Sequence, residues 1–224
     1  MTLALDLLPA STRRWIVEAP RDRPVIALLR HAARGPLPDD GGGAEVPLTS
    51  LGERAALSMG TAVGGWLQRV YTSPLRRTVQ TAEALIAGAA LTTSPSFDTA
   101  LGDPGLFITD AVLAGATWRA RGHVEIVKAM IRGDISAPGF AYPPDAARRL
   151  MAHMLESCGD TPGLHVFVTH DSVLSATLAH TLMLPHDEPD WPVYLEAMWV
   201  WRREDGWWAA YRDTYRPLTP AHTG

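Results

Sequence analysis

The chain alternates between short, almost continuously apolar runs and longer amphipathic stretches. The runs VIALL at 25–29 and LHVFVT at 164–169 have the length of strands. Such runs are typical of strands that are covered on both faces in the parallel sheet of an α/β fold. The segment RVYTSP at 69–74 predicts a third, shorter strand.

Helical patterns follow these predicted strands. The segment SLGE at 50–53 has the spacing of a capping box, which predicts that Ser50 caps a helix running through Met59. Ser73 is predicted to cap a second helix, with Pro74 in its first turn and its end near Gly88. Further helices are predicted at 109–121, 123–132, 144–157 and from about Ser172 onward.

The C-terminal part predicts two aromatic-rich strands around a Glu204-Asp205-Gly206 turn. Taken together, the elements predict an α/β fold with three layers (α/β/α) and a mostly parallel central sheet. Residues 1–24 have no clear period, so they are predicted to be an N-terminal extension that packs on the body or frays. Residues 25–224 are predicted to form one domain, within which 104–163 is expected to form a small helical cap.

Composition narrows the class of protein. The chain has 224 residues, 46% of them apolar and 20% charged, which favours one ordered globular domain. No apolar run is long enough to span a membrane and no secretory signal is apparent, so we expect a cytoplasmic protein. A net charge of -4 offers no general attraction to nucleic acid or anionic lipid.

Metal and disulfide sites are not expected. A single cysteine, Cys158, excludes an internal disulfide and a cysteine-built zinc site. No cofactor is expected. The remaining histidines lack metal-ligand spacing and are interpreted as surface or packing residues: His123, His153, His165, His180, His186 and His222.

Two predicted strands end in a histidine. Arg30 and His31 follow the first run, and His170 and Asp171 follow the second. The carboxyl ends of strands are where open α/β sheets place their ligand sites, so these residues are expected to lie together.

Arginines near these histidines suggest an anion site. A guanidinium fork contacts two oxygens of a phosphoryl group at once, which makes Arg30, Arg34 and Arg77 candidates for substrate binding. Arg77 falls in the opening turns of a predicted helix, whose free N–H groups and dipole add to its charge. Arg76 is interpreted as a solvated neighbour.

A phosphoryl group bound beside a neutral imidazole allows nucleophilic catalysis by histidine. The imidazole attacks phosphorus, and a covalent phosphohistidine divides one difficult displacement into two steps. A carboxylic acid must then protonate the leaving alkoxide. The arginines supply the positive charge that a metal ion would otherwise provide, so no metal is implied.

Four blocks, in this order, carry a family resemblance: LLRHAARGP, LTSLGERAAL, VYTSPLRRTVQTAEAL and VFVTHDSVL. The set resembles the histidine phosphatase superfamily, whose members are phosphoglycerate mutase-like or histidine acid phosphatase-like. The resemblance implies a phosphoglycerate mutase-like fold and a phosphoryl pocket built from Arg30, His31, Arg77 and His170. It also implies that His31 is the nucleophile and that His170 donates to the transferring group.

The chain departs from the family pattern at one position and leaves the proton donor open. Ala32 stands where the superfamily usually has glycine. Arg34 and Pro36 fit the acid phosphatase branch, whereas the length fits the mutase-like branch. The acid phosphatase branch implies Asp171 as the donor and the mutase-like branch implies Asp103. Of the two, we expect Asp171, because it directly follows His170.

The predicted function is a metal-independent phosphomonoester hydrolase that acts through phosphohistidine on a small phosphorylated substrate. A phosphomutase with the same pocket is the alternative enzyme. A phosphate-ester or phosphoprotein binding module that lost turnover is the alternative of another class, and Ala32 is its main support. The substrate and the oligomeric state stay open.

Overall fold

The computed structural model describes residues 6–37, 43–134, 137–184 and 190–218. Within these residues the strands form one sheet in the order β3-β2-β4-β1-β5-β6-β7. The first four strands of that order are parallel, and β5, β6 and β7 add antiparallel at one edge. The strands are Pro24–Arg30 (β1), Leu67–Thr72 (β2), Ser96–Phe97 (β3), Gly163–Thr169 (β4), Ala197–Arg203 (β5), Gly206–Tyr211 (β6) and Thr214–Pro217 (β7).

Helices cover both faces of the sheet, which confirms the predicted three-layer α/β/α fold. One face packs against α1, α2 and α3, and the other packs against α5, α6 and α7. The helices are Ala10–Glu18 (α1), Ser50–Val63 (α2), Arg76–Gly88 (α3), Ala111–Arg121 (α4), His123–Arg132 (α5), Pro143–Cys158 (α6) and Asp171–Thr181 (α7).

The central strand β1 explains the continuous apolar run. Val25, Ala27 and Leu29 point into the core on one side of the sheet, and Ile26 and Leu28 point into the core on the other. All five are 1% exposed or less. Because successive strand residues face opposite sides, two covered faces require apolar residues at every position.

Part of the predicted N-terminal extension packs on the body as α1. Trp15 and Ile16 are buried in the core. The Thr12 hydroxyl donates to the carbonyl of Leu195 at 2.6 Å, which links α1 to the loop before β5.

The prediction that Ser73 caps the helix after β2 is wrong. Helix α3 begins at Arg76, and Leu75 occupies its capping position without a side-chain hydrogen bond. The reason is that the Ser73 N–H still donates to the carbonyl of Val168, at 3.2 Å. This bond keeps Ser73 in register with the sheet, so the helix starts later than the Ser-Pro pair indicates.

The cap of α2 also differs from the prediction by one residue. Thr49, rather than Ser50, accepts from the N–H of Gly52, at 3.0 Å. The Thr49 N–H donates to the carbonyl of Ala33 at 2.9 Å, and this bond holds Thr49 extended at the capping position. The tertiary contact therefore decides which hydroxyl serves as the cap.

Two searches of the described residues gave negative results. No helix there has the length and apolar composition needed to cross a membrane. In the same part of the chain, no group of three or more histidine, cysteine, aspartate or glutamate residues could hold a metal ion.

Candidate active site

The ends of β1 and β4 bring the two predicted histidines together. Arg30 pairs with Thr169 across these parallel strands, and the His31 N–H donates to the Thr169 carbonyl at 3.0 Å. The ring centres of His31 and His170 are 5.6 Å apart and nearly edge to face. The structure thus places both imidazoles at one edge of the sheet, as the strand pattern predicts.

His31 is held as a neutral ring with a lone pair on Nε2. Its Nδ1 lies 2.8 Å from the carbonyl of Ala32, which can only accept, so Nδ1 carries the proton. Nε2 accepts from Nε of Arg77 at 3.2 Å. Burial, followed by the charge of Arg77, lowers the pKa of His31 to about 3. The ring is therefore unprotonated near neutral pH, as a nucleophile must be.

Arg77 bridges the two histidines from the first turn of α3. Beside its bond to His31, it donates from one Nη to Nδ1 of His170 at 3.2 Å and from the other to the carbonyl of Gly43 at 2.7 Å. Burial, followed by the charge of Arg34, lowers the pKa of Arg77 to about 10. The guanidinium remains positive near neutral pH and is desolvated, which strengthens its attraction for an anion.

Arg30 lies beside the same pocket and is held by three groups. Its guanidinium is 2.9 Å from a carboxylate oxygen of Asp171, lies 4.2 Å above the ring of Tyr194 and donates to the carbonyl of Pro192. Its Nε is buried and has no hydrogen-bond partner among the described residues. One directional donor of Arg30 is therefore uncommitted in this structure.

Both carboxylate oxygens of Asp171 have partners in the structure. In addition to Arg30, Oδ2 lies 3.6 Å from Nε2 of His123, and Oδ1 accepts from the Ser172 N–H at 2.9 Å. Burial alone would raise the pKa of Asp171, but the hydrogen bond from His123 and the charge of Arg30 outweigh burial and hold that pKa well below its ordinary value. The group stays ionised throughout the physiological range.

Asp103 has the opposite electrostatic character. It follows Leu101, whose carbonyl accepts from the Thr169 hydroxyl at 2.8 Å, so the loop is tied to the end of β4. The Asp103 side chain is accessible to solvent. Partial desolvation nevertheless raises the pKa of Asp103, and the charge of Arg77 offsets this only in part.

The remaining predicted site residues also lie at this edge. Arg34 is half-buried, and its charge acts on Arg77. Ala32 is fully buried, and its N–H donates to the Thr81 hydroxyl at 3.0 Å. Ala32 is not among the described residues with positive φ, so alanine fits the backbone that the family usually builds with glycine.

A buried ion pair supports the wall of the site that carries Tyr194. The carboxylate of Glu196 accepts two bonds from Arg212, both at 2.9 Å, and one from the Ser11 hydroxyl at 3.0 Å. The Glu196 carbonyl also accepts from the Arg30 N–H at 2.9 Å. This network ties the N-terminal helix to the loop beside the pocket.

Sequence reasoning missed three residues of the site. Ser73 was assigned to a helix cap, but its hydroxyl lies 3.0 Å from Nε2 of His170. Tyr194 has its ring 5.6 Å from that of His31, and nothing in its sequence surroundings indicates a site. His123, interpreted as a surface or packing residue, is partly exposed and lies 3.6 Å from the Asp171 carboxylate.

Three of the other histidines form local contacts outside the pocket. His153 pairs with Asp98 at 2.7 Å, and the rings of His165 and His180 bond backbone carbonyls. His186 and His222 lie outside the described residues.

Comparisons with known proteins identify the family of the chain and its fold. The family model of the histidine phosphatase superfamily (branch 1) matches residues 26–210, and the chain belongs to this superfamily. Membership indicates a phosphatase-type or mutase-type enzyme. No curated protein matches the chain by sequence.

Solved structures share the fold at low sequence identity. A mutant phosphoserine phosphatase from Entamoeba histolytica, in complex with phosphoserine, superposes with a TM-score of 0.57 at 14% identity, covering 88% of this chain and 98% of that one. A mycobacterial glucosyl-3-phosphoglycerate phosphatase superposes with a TM-score of 0.55 at 19% identity, covering 85% and 99%.

Proposed function

We propose that the protein is a metal-independent phosphomonoester hydrolase that acts through a phosphohistidine on His31. One observation carries the proposal: the half-buried guanidinium of Arg77 joins the reactive nitrogen of His31 to His170. A neutral nucleophile beside a desolvated cation suits attack on an anionic phosphoryl group.

The proposed reaction has two displacements. In the first, Nε2 of His31 attacks phosphorus, the N–P bond forms and the bond to the leaving oxygen breaks. In the second, water attacks phosphorus, the N–P bond breaks and inorganic phosphate is released. Arg30, Arg34 and Arg77 are proposed to bind the phosphoryl oxygens, where their charge stabilises the transition state. His170 is proposed to donate to the same group.

We propose Asp103 as the proton donor to the leaving oxygen, although the sequence favoured Asp171. A general acid must be protonated at the working pH, and the pKa of Asp103 is raised whereas that of Asp171 is held low. Asp171 is proposed instead to fix Arg30, its ion-pair partner at 2.9 Å.

The substrate is proposed to be a small phosphorylated metabolite. The fold neighbours include a phosphoserine phosphatase and a glucosyl-3-phosphoglycerate phosphatase, both of which act on small phosphate esters by their names. Hydrolysis is proposed rather than phosphoryl return to a second acceptor, since both of these fold neighbours are phosphatases by their names.

The test is turnover by the purified protein. We expect hydrolysis of an aryl phosphate that persists with a strong chelator and is inhibited by vanadate. His31→Ala should abolish this activity, while His153→Ala, a histidine outside the pocket, should retain it. Equal activity in wild type and His31→Ala would reject the mechanism, and loss with chelator that a divalent metal restores would assign another class.

A further inference from the structure

Ser73 is a fully buried hydroxyl at the end of β2. Its N–H is bonded to β4, and its carbonyl accepts from the hydroxyls of Thr72 and Thr78 at 3.0 and 2.8 Å. Gly102 packs so closely that a methyl group there would lie 2.9 Å from the Ser73 Oγ. These contacts hold the hydroxyl in one place, where it meets the ring of His170.

The two ring nitrogens of His170 have different kinds of partner. Nδ1 lies 3.2 Å from Arg77, whose guanidinium can only donate, so Nδ1 accepts. Burial, together with the charges of Arg77 and His31, lowers the pKa of His170 well below its ordinary value, so the ring is neutral. Its single proton is therefore on Nε2 and is donated to Ser73 Oγ at 3.0 Å.

To bind an unprotonated phosphoryl oxygen, Nδ1 must change from a hydrogen-bond acceptor to a donor. An unprotonated phosphoryl oxygen only accepts, so His170 can donate to it only with a proton on Nδ1. When a monoprotonated phosphoryl group transfers its proton to Nδ1, the ring becomes an imidazolium and Nε2–H stays on Ser73. Nδ1–H then donates to the phosphoryl oxygen that gave up the proton. The Ser73 Oγ therefore accepts from Nε2 both in the neutral ring and in the imidazolium.

We propose that Ser73 is a positioning residue for His170: its hydroxyl accepts from Nε2 of the ring in both the neutral and the protonated state, so that Nδ1 faces the phosphoryl group. The proposal rests on the proposed phosphoryl pocket and adds a residue to it. It also explains why a serine of the TSP segment is buried when it caps no helix.

The test reads the ring directly. In protein labelled with ¹⁵N-histidine, nuclear magnetic resonance of the imidazole nitrogens should show His170 as the Nε2–H form when free, and with a proton on Nδ1 after vanadate is added. Ser73→Ala should disturb this pattern, weaken vanadate binding and lower kcat by about 10- to 100-fold, the range seen when a partner that orients a metal-bound histidine is removed. Ser175→Ala removes a fully buried serine hydroxyl of α7 that has no hydrogen-bond partner among the described residues. It is the matched control and should change each quantity less than about twofold, as a loss well under 1 kcal/mol does.

Each outcome bears on Ser73. A proton on Nδ1 in the free wild type would overturn the proposal, as would wild-type nitrogen spectra and vanadate affinity in Ser73→Ala. If Ser73→Ala fails to fold, Ser73→Cys, whose thiol donates and accepts weakly, should give an intermediate loss of vanadate affinity, and no loss would contradict the proposal. The spectra and vanadate binding need no turnover, so a wild type that hydrolyses nothing would reject the proposed function separately.

Discussion

A carboxylate oxygen of Asp171 lies 2.9 Å from the guanidinium of Arg30, at the point where two strands deliver their catalytic candidates. Both side chains are about 85% covered, at 15% and 14% exposure. An ion pair with so little solvent strongly favours the charged carboxylate. This relationship supports the proposal that Asp171 holds Arg30 and that Asp103 is the proton donor.

The two acids should respond differently to the leaving group. Removing a general acid harms an alkyl phosphate, whose alkoxide leaves poorly, more than an aryl phosphate, whose phenolate leaves unaided. We expect Asp103→Asn to lower kcat/KM for an alkyl phosphate far more than for an aryl phosphate. Asp171→Asn should lower both to a similar extent, because it loosens Arg30. A steep leaving-group effect in Asp171→Asn with a flat one in Asp103→Asn would return the donor role to Asp171.

The pH profile of alkyl phosphate hydrolysis independently tests whether Asp103 is the general acid. A general acid works only while protonated, so its activity is lost as pH rises through its pKa. Because the pKa of Asp103 is raised, this loss should begin at a higher pH than an ordinary carboxyl would give. The basic limb should disappear in Asp103→Asn, and its persistence there would assign the limb to another group.

The effect of each arginine on kcat should depend on whether its side chain faces the pocket. Arg77→Ala and Arg30→Ala should each lower kcat by at least ~100-fold, the scale of one lost preorganised donor. Arg76→Ala is the matched control, since Arg76 is exposed and should leave kcat near wild type. Steady-state kinetics decide, and an Arg76 effect equal to that of Arg77 would contradict the placement of the site.

The alanine that replaces the family glycine should be neutral for catalysis. Ala32 is buried and has no positive φ, so its backbone conformation does not require glycine. Ala32→Gly should keep kcat within about twofold and lower the free energy of unfolding by about 1 kcal/mol, because glycine frees the unfolded backbone. Denaturant unfolding and turnover measure the two effects, and a large gain in kcat would show that Ala32 restrains the enzyme.

Buried histidine should make stability depend on pH. The pKa of His31 is about 3 when folded and about 6.5 when unfolded, so between these values only the unfolded state binds the proton. Stability should fall as pH drops below about 6.5, by about 2 kcal/mol from this residue at pH 5. His31→Gln should show a shallower fall than wild type and His153→Gln should not. Parallel curves for wild type and His31→Gln would contradict the buried neutral ring.

The strand ends were predictable because their signal is local. A continuous apolar run such as Val25–Leu29 is typical of a strand with both sheet faces covered, and a polar pair directly after such a strand is expected at the sheet edge. The resemblance to the histidine phosphatase superfamily then implied that Arg77 and His170 lie beside His31.

The features that could not be predicted from the sequence depend on contacts between segments that are distant along the chain. Ser73 and Ser50 have the local signature of caps, but bonds to Val168 and Ala33 fixed the backbone and moved both caps. Tyr194 contacts Arg30 although the two residues are 164 positions apart in the sequence, and no local pattern predicts this contact. The charge state of Asp171 likewise follows from Arg30 and His123, which lie far from it along the chain.

The most direct test of the central claim is to trap the covalent intermediate. Protein mixed with an aryl phosphate and quenched in base, which preserves phosphohistidine, should yield a peptide phosphorylated on His31 by mass spectrometry. The same peptide from His31→Ala should carry no phosphoryl group, and Asp103→Asn should still form the adduct from the aryl ester. A phosphoryl group on any other residue, or turnover of wild type with release of product and no adduct at the earliest quench times, would contradict the account.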